Sequence, residues 1–268
     1  MFVDSHCHLA FPELAGDIDG VLARMSAAGV SQVLSVCTRL DEFAGVQALA
    51  ARDPRIYASV GVHPDTPPGD EPTVADLVRL AQMPRVVAIG ETGLDYYRLP
   101  EPLEWQRERF RTHIRAARES GRPLIIHTRA AAADTLKIMR EERAGEAGGV
   151  FHCFTESLEV AEAAVDLGFY VSFSGIVTFK NARDLQAVAA ALPLERLLIE
   201  TDSPYLSPVP VRGRTNEPSF VPHVAAKVAE LKRVSVAEVG MATSENFYRC
   251  FNILEEKSDP SSDIERPV

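Results

Sequence analysis

The sequence predicts an α/β fold: eight parallel strands closed into a (β/α)8 TIM barrel, with a metal site at the C-terminal rim of the strands. Three observations point to it. Short runs rich in Val, Ile and Leu alternate with amphipathic stretches along nearly the whole chain, and such alternation implies parallel pairing through right-handed crossovers. Eight strand-like runs occur, the number of a closed barrel, although an open doubly wound sheet satisfies the same pattern. Histidines and acids recur just after these runs, where a barrel gathers them on one rim.

In chain order the runs are Phe2–Val3, Val33–Val36, Tyr57–Val60, Val86–Ile89, Leu124–Ile126, Val150–Phe151, Tyr170–Phe173 and Leu197–Ile199. Each is short and apolar, as strands covered on both faces are. Between them Ile18, Val21, Leu22 and Met25 recur at helical spacing, as do Phe110, Ile114 and Ala117. Ser235 and Glu238 have the spacing of a capping box ahead of a helix bearing Val239 and Phe247. Gly29, Gly121 and Gly168 each stand between a helix and the next strand, where a left-handed residue ends a helix. With no internal linker or repeat, residues 1–254 read as one barrel domain, and 255–268, polar and containing Pro260, as a disordered C-terminal tail.

Composition narrows the class. The 268 residues, 46% hydrophobic and 25% charged, suit one large barrel. A net charge of −10 argues against broad adhesion to duplex DNA or anionic lipid, but leaves room for an enzyme that grips a few phosphates. Cys7, Cys37, Cys153 and Cys250 form no C-x-x-C pair and read as reduced, buried thiols. The N-terminus has no secretory pattern, and no apolar run approaches the ~20 residues that span a bilayer, so a soluble, cytoplasmic protein is expected. P-loop, dinucleotide and serine-elbow motifs are missing from the sequence.

His6 and His8 follow the first strand and His63 the third. Glu91 follows the fourth, His127 the fifth, His152 the sixth and Asp202 the eighth. Singly, each has an ordinary structural reading: strand-end histidines, a turn carboxylate, core histidines bonded to backbone, a turn or cap aspartate. Their convergence on one rim outweighs those readings. Two residues apart on a strand, His6 and His8 turn both rings to one side while Cys7 turns into packing. Glu91 can bridge two cations through its two oxygens. Asp202 suits a metal ligand and a general base toward a metal-held water, with Glu200 supporting it. His113, in mid-helix, and His223, near a helix start, read as structural.

The surrounding segments resemble the TatD-type metal-dependent deoxyribonucleases, within the wider amidohydrolase-like barrels. The matching segments are DSHCHL at 4–9, GVHP at 61–64, IGETGLDYY at 89–97, PLIIHTR at 123–129 and FHCFT at 151–155. GFYVSFSGIVTFKNA at 168–182, LLIETDSPYLSPVP at 197–210 and NEPSFV at 216–221 continue them in the same order, so the likeness runs from Met1 to about Leu254. It implies two divalent ions (Zn, Mg or Mn): His6, His8 and Asp202 hold one, His127 and His152 the other, and Glu91 bridges. It makes Asp202, Glu91 and His63 the catalytic residues. His63 and Arg214, the latter in the loop Arg212–Glu217, become contacts to the substrate phosphate. Three rim positions depart from the family pattern: Ala130, Glu156 and Val211 stand where aspartate, glycine and histidine are frequent.

The activity this implies is hydrolysis of phosphodiester bonds in DNA by a 3′–5′ exonuclease. Its partner is single-stranded DNA or DNA ends, with no membrane and no obligate protein partner. Tyr96, Tyr97 and Phe179 are candidates to stack on bases. Two rival readings share the residues: an ester or amide hydrolase, such as an aminoacyl-tRNA deacylase, using the same metal centre, and a non-catalytic metal-binding scaffold. The complete ligand set argues against the scaffold.

Overall fold

The computed structural model describes residues 1–69, 71–97 and 103–253; the tail expected after residue 254 lies outside the described residues. Eight strands pair in parallel, in chain order, in one sheet. They are β1 (Phe2–Cys7), β2 (Val30–Ser35), β3 (Ile56–Val60), β4 (Val86–Asp95), β5 (Leu124–Arg129), β6 (Gly149–Phe151), β7 (Tyr170–Phe173) and β8 (Leu197–Ile199). An α-helix fills each crossover, among them Ile18–Ala27 after β1 and Glu104–Ser120 after β4. The predicted barrel is the observed one, and the open sheet is excluded because its two edges meet. The last described helices are Val221–Lys232 and Val236–Cys250.

The edges meet through few bonds. Cys7 bridges Ser203, His8 N–H donates to Ser203 O (2.8 Å), and Asp202 N–H donates to His6 O (3.0 Å). Below them the buried Asp4 carboxyl accepts from Thr201 N–H (2.9 Å) and from its hydroxyl (2.6 Å). The seam between β1 and the segment after β8 therefore runs through three of the residues expected to hold metal.

Burial divides into two shells. Outward-facing strand residues such as Val33, Ile89, Ile126 and Phe151 pack on helix residues including Met25, Phe110 and Ile114. Inside the barrel, Val3, Leu34, Val87, Ile125, Val150 and Leu198 make an apolar floor, closed from below by Phe247 and Phe251. The expected capping box is present: Ser235 accepts from Glu238 N–H, and the Glu238 side chain returns to Ser235 N–H. Gly121 ends the helix Glu104–Ser120 at φ 68°, a left-handed conformation costly for other residues.

Two strands are longer than the sequence indicates. β1 continues through His6, and β4 runs on to Asp95, pairing Gly93 with His127 and Asp95 with Arg129. Polar site residues interrupt the apolar pattern there, while backbone pairing continues. Glu91 thus lies within a strand rather than after one. No helix among the described residues is long and apolar enough to cross a membrane.

Candidate metal centre

The rim chemistry begins with register. β1 shifts register between Asp4 and Cys7, and β4 between Ile89 and Thr92. These irregularities fall where His6 and Glu91 turn toward the barrel axis, a frequent use of bulges beside active sites. At Gly93 the strands approach so closely that a Cβ would lie 1.9 Å from His127 O. Glycine there is what lets Glu91 and His127 stand side by side.

Glu91 is the hub. Its Oε2 lies 3.4 Å from His6 Nε2, while its Oε1 lies 2.8 Å from His152 Nε2, 3.1 Å from His127 Nδ1 and 3.2 Å from His63 Nε2. His6 and His8 bring their Nε2 atoms within 3.3 Å of each other, and Asp202 Oδ1 lies 3.4 Å from His8 and 3.7 Å from His6. The rings of His6 and His152 stack at 3.9 Å. Cys7 turns away, its thiol on Leu34 O (3.4 Å). Thus His6, His8, His63, Glu91, His127, His152 and Asp202 are all brought together.

Two further carboxylates set the imidazole tautomers. His127 Nε2 meets Asp95 Oδ2 (3.0 Å), which turns its Nδ1 toward Glu91 Oε1 (3.1 Å). His152 Nδ1 faces Glu200 Oε1 (3.4 Å), which also accepts from Cys153 N–H (2.8 Å), so His152 Nε2 faces Glu91. A bare ring nitrogen against a carboxylate oxygen is attractive only with a shared proton or cation between them, and such outer carboxylates are the usual supports of metal-bound histidines. Asp95 was not singled out in the sequence. The two-residue period Glu91, Gly93, Asp95 was the signal for it.

A divalent cation fits this donor set. Three groups each offer ligand atoms within 4.8 Å of one another: His6, His8 and Glu91; His6, His152 and Asp202; and His63, Glu91 and His127. Mixed nitrogen and oxygen donors of this kind suit zinc or manganese. Electrostatics agree. Burial alone would raise Glu91, but His152 and His63 hold its carboxyl well below the usual range. Burial opposes charge on His63 as well, yet Glu91 and Asp65 push it up to about 9. Asp202 stays low because His8 and His6 outweigh its burial.

Above the cluster lies a cavity of about 880 Å³, lined among others by His8, His63, Glu91, His127, His152 and Asp202. Arg129 lines it too, with its guanidinium 4.0 Å above the Tyr97 ring and no carboxylate partner among the described residues. Arg214 is not brought there: it lies over Phe220, outside the cavity lining. In the same loop Asn216 is buried and donates to Thr201 O (2.8 Å) and Tyr205 O (2.5 Å), pinning the turn that carries Asp202. Tyr96 is tied to Asp134 and Arg107, and Phe179 lies under Arg212. Of the four cysteines, Cys7, Cys37 and Cys250 are buried as expected, whereas Cys153 is partly exposed and lines the cavity.

His113 and His223 stay outside the cavity lining. His113 is buried and neutral: its Nδ1–H donates to Arg109 O (2.8 Å) and its Nε2 accepts from Val62 N–H (3.0 Å). Arg109 adds bonds to His63 O (3.0 Å) and Thr66 O (2.7 Å), so the helix Glu104–Ser120 grips the loop that carries His63.

A (β/α)8 barrel with this donor cluster at its strand ends defines the class of metal-dependent hydrolases. Residues 3–252 match the family model of the TatD related DNases, and the chain belongs to that family. It is 50% identical to an uncharacterized metal-dependent hydrolase of Escherichia coli (strain K12), YcfH, over 94% of this chain and 96% of that one. It is 41% identical to YabD of Bacillus subtilis (strain 168), over 94% and 100%. The crystal structure of YJJV, a TatD homolog from Escherichia coli K12, superposes with a TM-score of 0.88 at 32% identity, covering 94% of this chain and 98% of that one. The chain is a metal-dependent hydrolase of the TatD family.

Proposed function

We propose that the enzyme is a deoxyribonuclease that shortens DNA strands from their 3′ ends, using two divalent ions held around Glu91. The observation that supports the two-ion centre is the division of the Glu91 oxygens, Oε2 toward His6 and Oε1 toward His63, His127 and His152, and the match to the TatD related DNases supports nucleic acid as the substrate. His6, His8 and Asp202 would hold one ion, His127 and His152 the other. When bound, such a pair lowers the pKa of a shared water and neutralises the charge on phosphoryl oxygens. Asp202, kept ionised by His8 and His6 against the effect of burial, accepts the proton of the attacking water. His63, its Nδ1 fixed by Asp65, presents Nε2 to a phosphoryl oxygen. Arg129 takes the role expected of Arg214, because it lines the cavity with its charge unpaired among the described residues.

The test is metal-stripped protein incubated with end-labelled single-stranded DNA, with Mg, Mn or Zn added back and Asp202→Asn alongside. Stepwise shortening from the 3′ end, reduced about hundredfold or more in the variant, is expected. Intact DNA with every metal, from protein that binds two ions, contradicts the nuclease reading and leaves an ester or amide as substrate.

A further inference from the structure

The described aromatic side chains that remain exposed are not scattered. Tyr97 (67%) and Tyr205 (51%) are the exposed aromatics among the described residues. Tyr205 lines the cavity above the metal centre, and Tyr97 lies beneath Arg129, which lines it.

Phe11 completes the group. It lines the same cavity and stacks on His8, with ring centroids 4.6 Å apart and planes 13° from parallel. Its own N–H donates to His8 O (3.0 Å), so a tight turn holds it over that ring. Tyr205 meets Phe11 edge-on at 6.2 Å, and its carbonyl is fixed by the buried Asn216. The metal centre is thus bordered on one side by a ladder of rings, His8, Phe11 and Tyr205, whose innermost member is itself a candidate ligand. Arg129 supplies to the same cavity a positive charge with no carboxylate partner among the described residues.

A ligand that satisfies both features has a flat, apolar face and a negative charge within reach of the metals, which describes a nucleotide unit. The cavity is also far larger than a phosphate requires and falls within the usual range for ligand sites, about 300–1,000 Å³. Bases inside a duplex have both faces covered, so only a base outside the stack can meet such a platform.

We infer that Phe11 and Tyr205 form a stacking platform for an unpaired nucleobase at the end of a single strand, beside the phosphate presented to the metals. This rests on the nucleic-acid part of the function proposed above. Stacking tolerates any base, so the platform selects for strand ends and not for sequence.

The probe is a short phosphorothioate-linked oligonucleotide ending in 2-aminopurine, a base whose fluorescence falls on stacking, titrated into metal-loaded full-length protein. A matched strand with an abasic end is titrated in parallel. The native protein is expected to quench the probe and to bind it about tenfold more tightly than the abasic strand. Phe11→Leu and Tyr205→Leu are each expected to bring that ratio close to one. Because Phe11 stacks on His8 and Tyr205 shares a turn with Asp202, metal content is measured for both variants and the ratio is compared at equal metal loading. Equal affinity for the two strands, or no quenching by the native protein, overturns the platform. Cleavage of ordinary DNA without any preference for a base-bearing end overturns it too while leaving the nuclease reading intact. Quenching by a protein that never cleaves DNA supports the platform and defeats the nuclease reading instead.

Discussion

Asp95 and Glu200 show how much of a metal site lies behind its ligands. Each fixes one nitrogen of a histidine so that the other faces Glu91. Asp95→Asn keeps the shape of the side chain but loses the charge that holds His127 Nε2–H. Metal affinity should fall about 10–100-fold, measured by calorimetric titration, with unfolding temperature of the metal-free protein little changed. An unchanged affinity would mean that His127 is oriented by packing alone. His113 carries a different prediction. Burial holds it down to about 4 against an ordinary 6.5, and only the neutral ring accepts from Val62 N–H. Between those values the unfolded chain binds a proton that the folded chain refuses. Stability from this group is therefore complete above pH 6.5 and lost as pH falls toward 4, by up to about 3 kcal/mol. In His113→Gln this slope disappears, so urea unfolding at pH 7.5 and pH 5 should show the gap between native and variant narrowing on acidification.

Secondary-structure elements were legible in the sequence where burial alone determines their residues. Val86–Ile89 and Leu124–Ile126 are apolar because both faces of the strand are covered, and they were recognised as strands. Glu91 through Asp95 was not, because a strand that turns polar groups toward a metal loses the apolar signature while keeping its ladder with β5. The candidate ligands were legible through their position after apolar runs. Arg129 and Phe11 are not legible as site residues in the sequence, because the significance of each depends on what other segments place beside it: Tyr97 under Arg129, and Tyr205 beside Phe11. The final helix tests the reading of the barrel floor. Phe247 is fully buried against Phe251 and Tyr57, so Phe247→Ala should cost about 3–5 kcal/mol in denaturant unfolding. Metal affinity per folded molecule should stay constant, since the floor and the rim lie at opposite ends of the barrel. A loss below about 1 kcal/mol would show that the floor does not depend on this ring.

The whole barrel is closed by a short seam, and the metal centre sits on it. His6, His8 and Asp202 contribute both the backbone bonds that join β1 to the segment after β8 and the side chains that face the site. Ions bound there would tie together β1, β4, β5, β6 and the turn after β8. Removing them with a chelator should lower the unfolding temperature by about 5–10 °C, as expected when a ligand present at about a hundred times its dissociation constant is withdrawn from a domain of this size. Hydrogen exchange should quicken first at His8 and Asp202, whose amides make the seam bonds. Exchange that quickened evenly around the barrel would separate metal binding from closure.

The central claim is that one carboxylate, Glu91, joins two ions in a single centre. Metal content per chain, measured by mass spectrometry on the native protein and on Glu91→Gln after equilibration with zinc or manganese, tests it most directly. The account predicts two ions per native chain and at most one in the variant, with hydrolysis lost alongside the second ion. One ion per native chain, or two retained by Glu91→Gln, would contradict it.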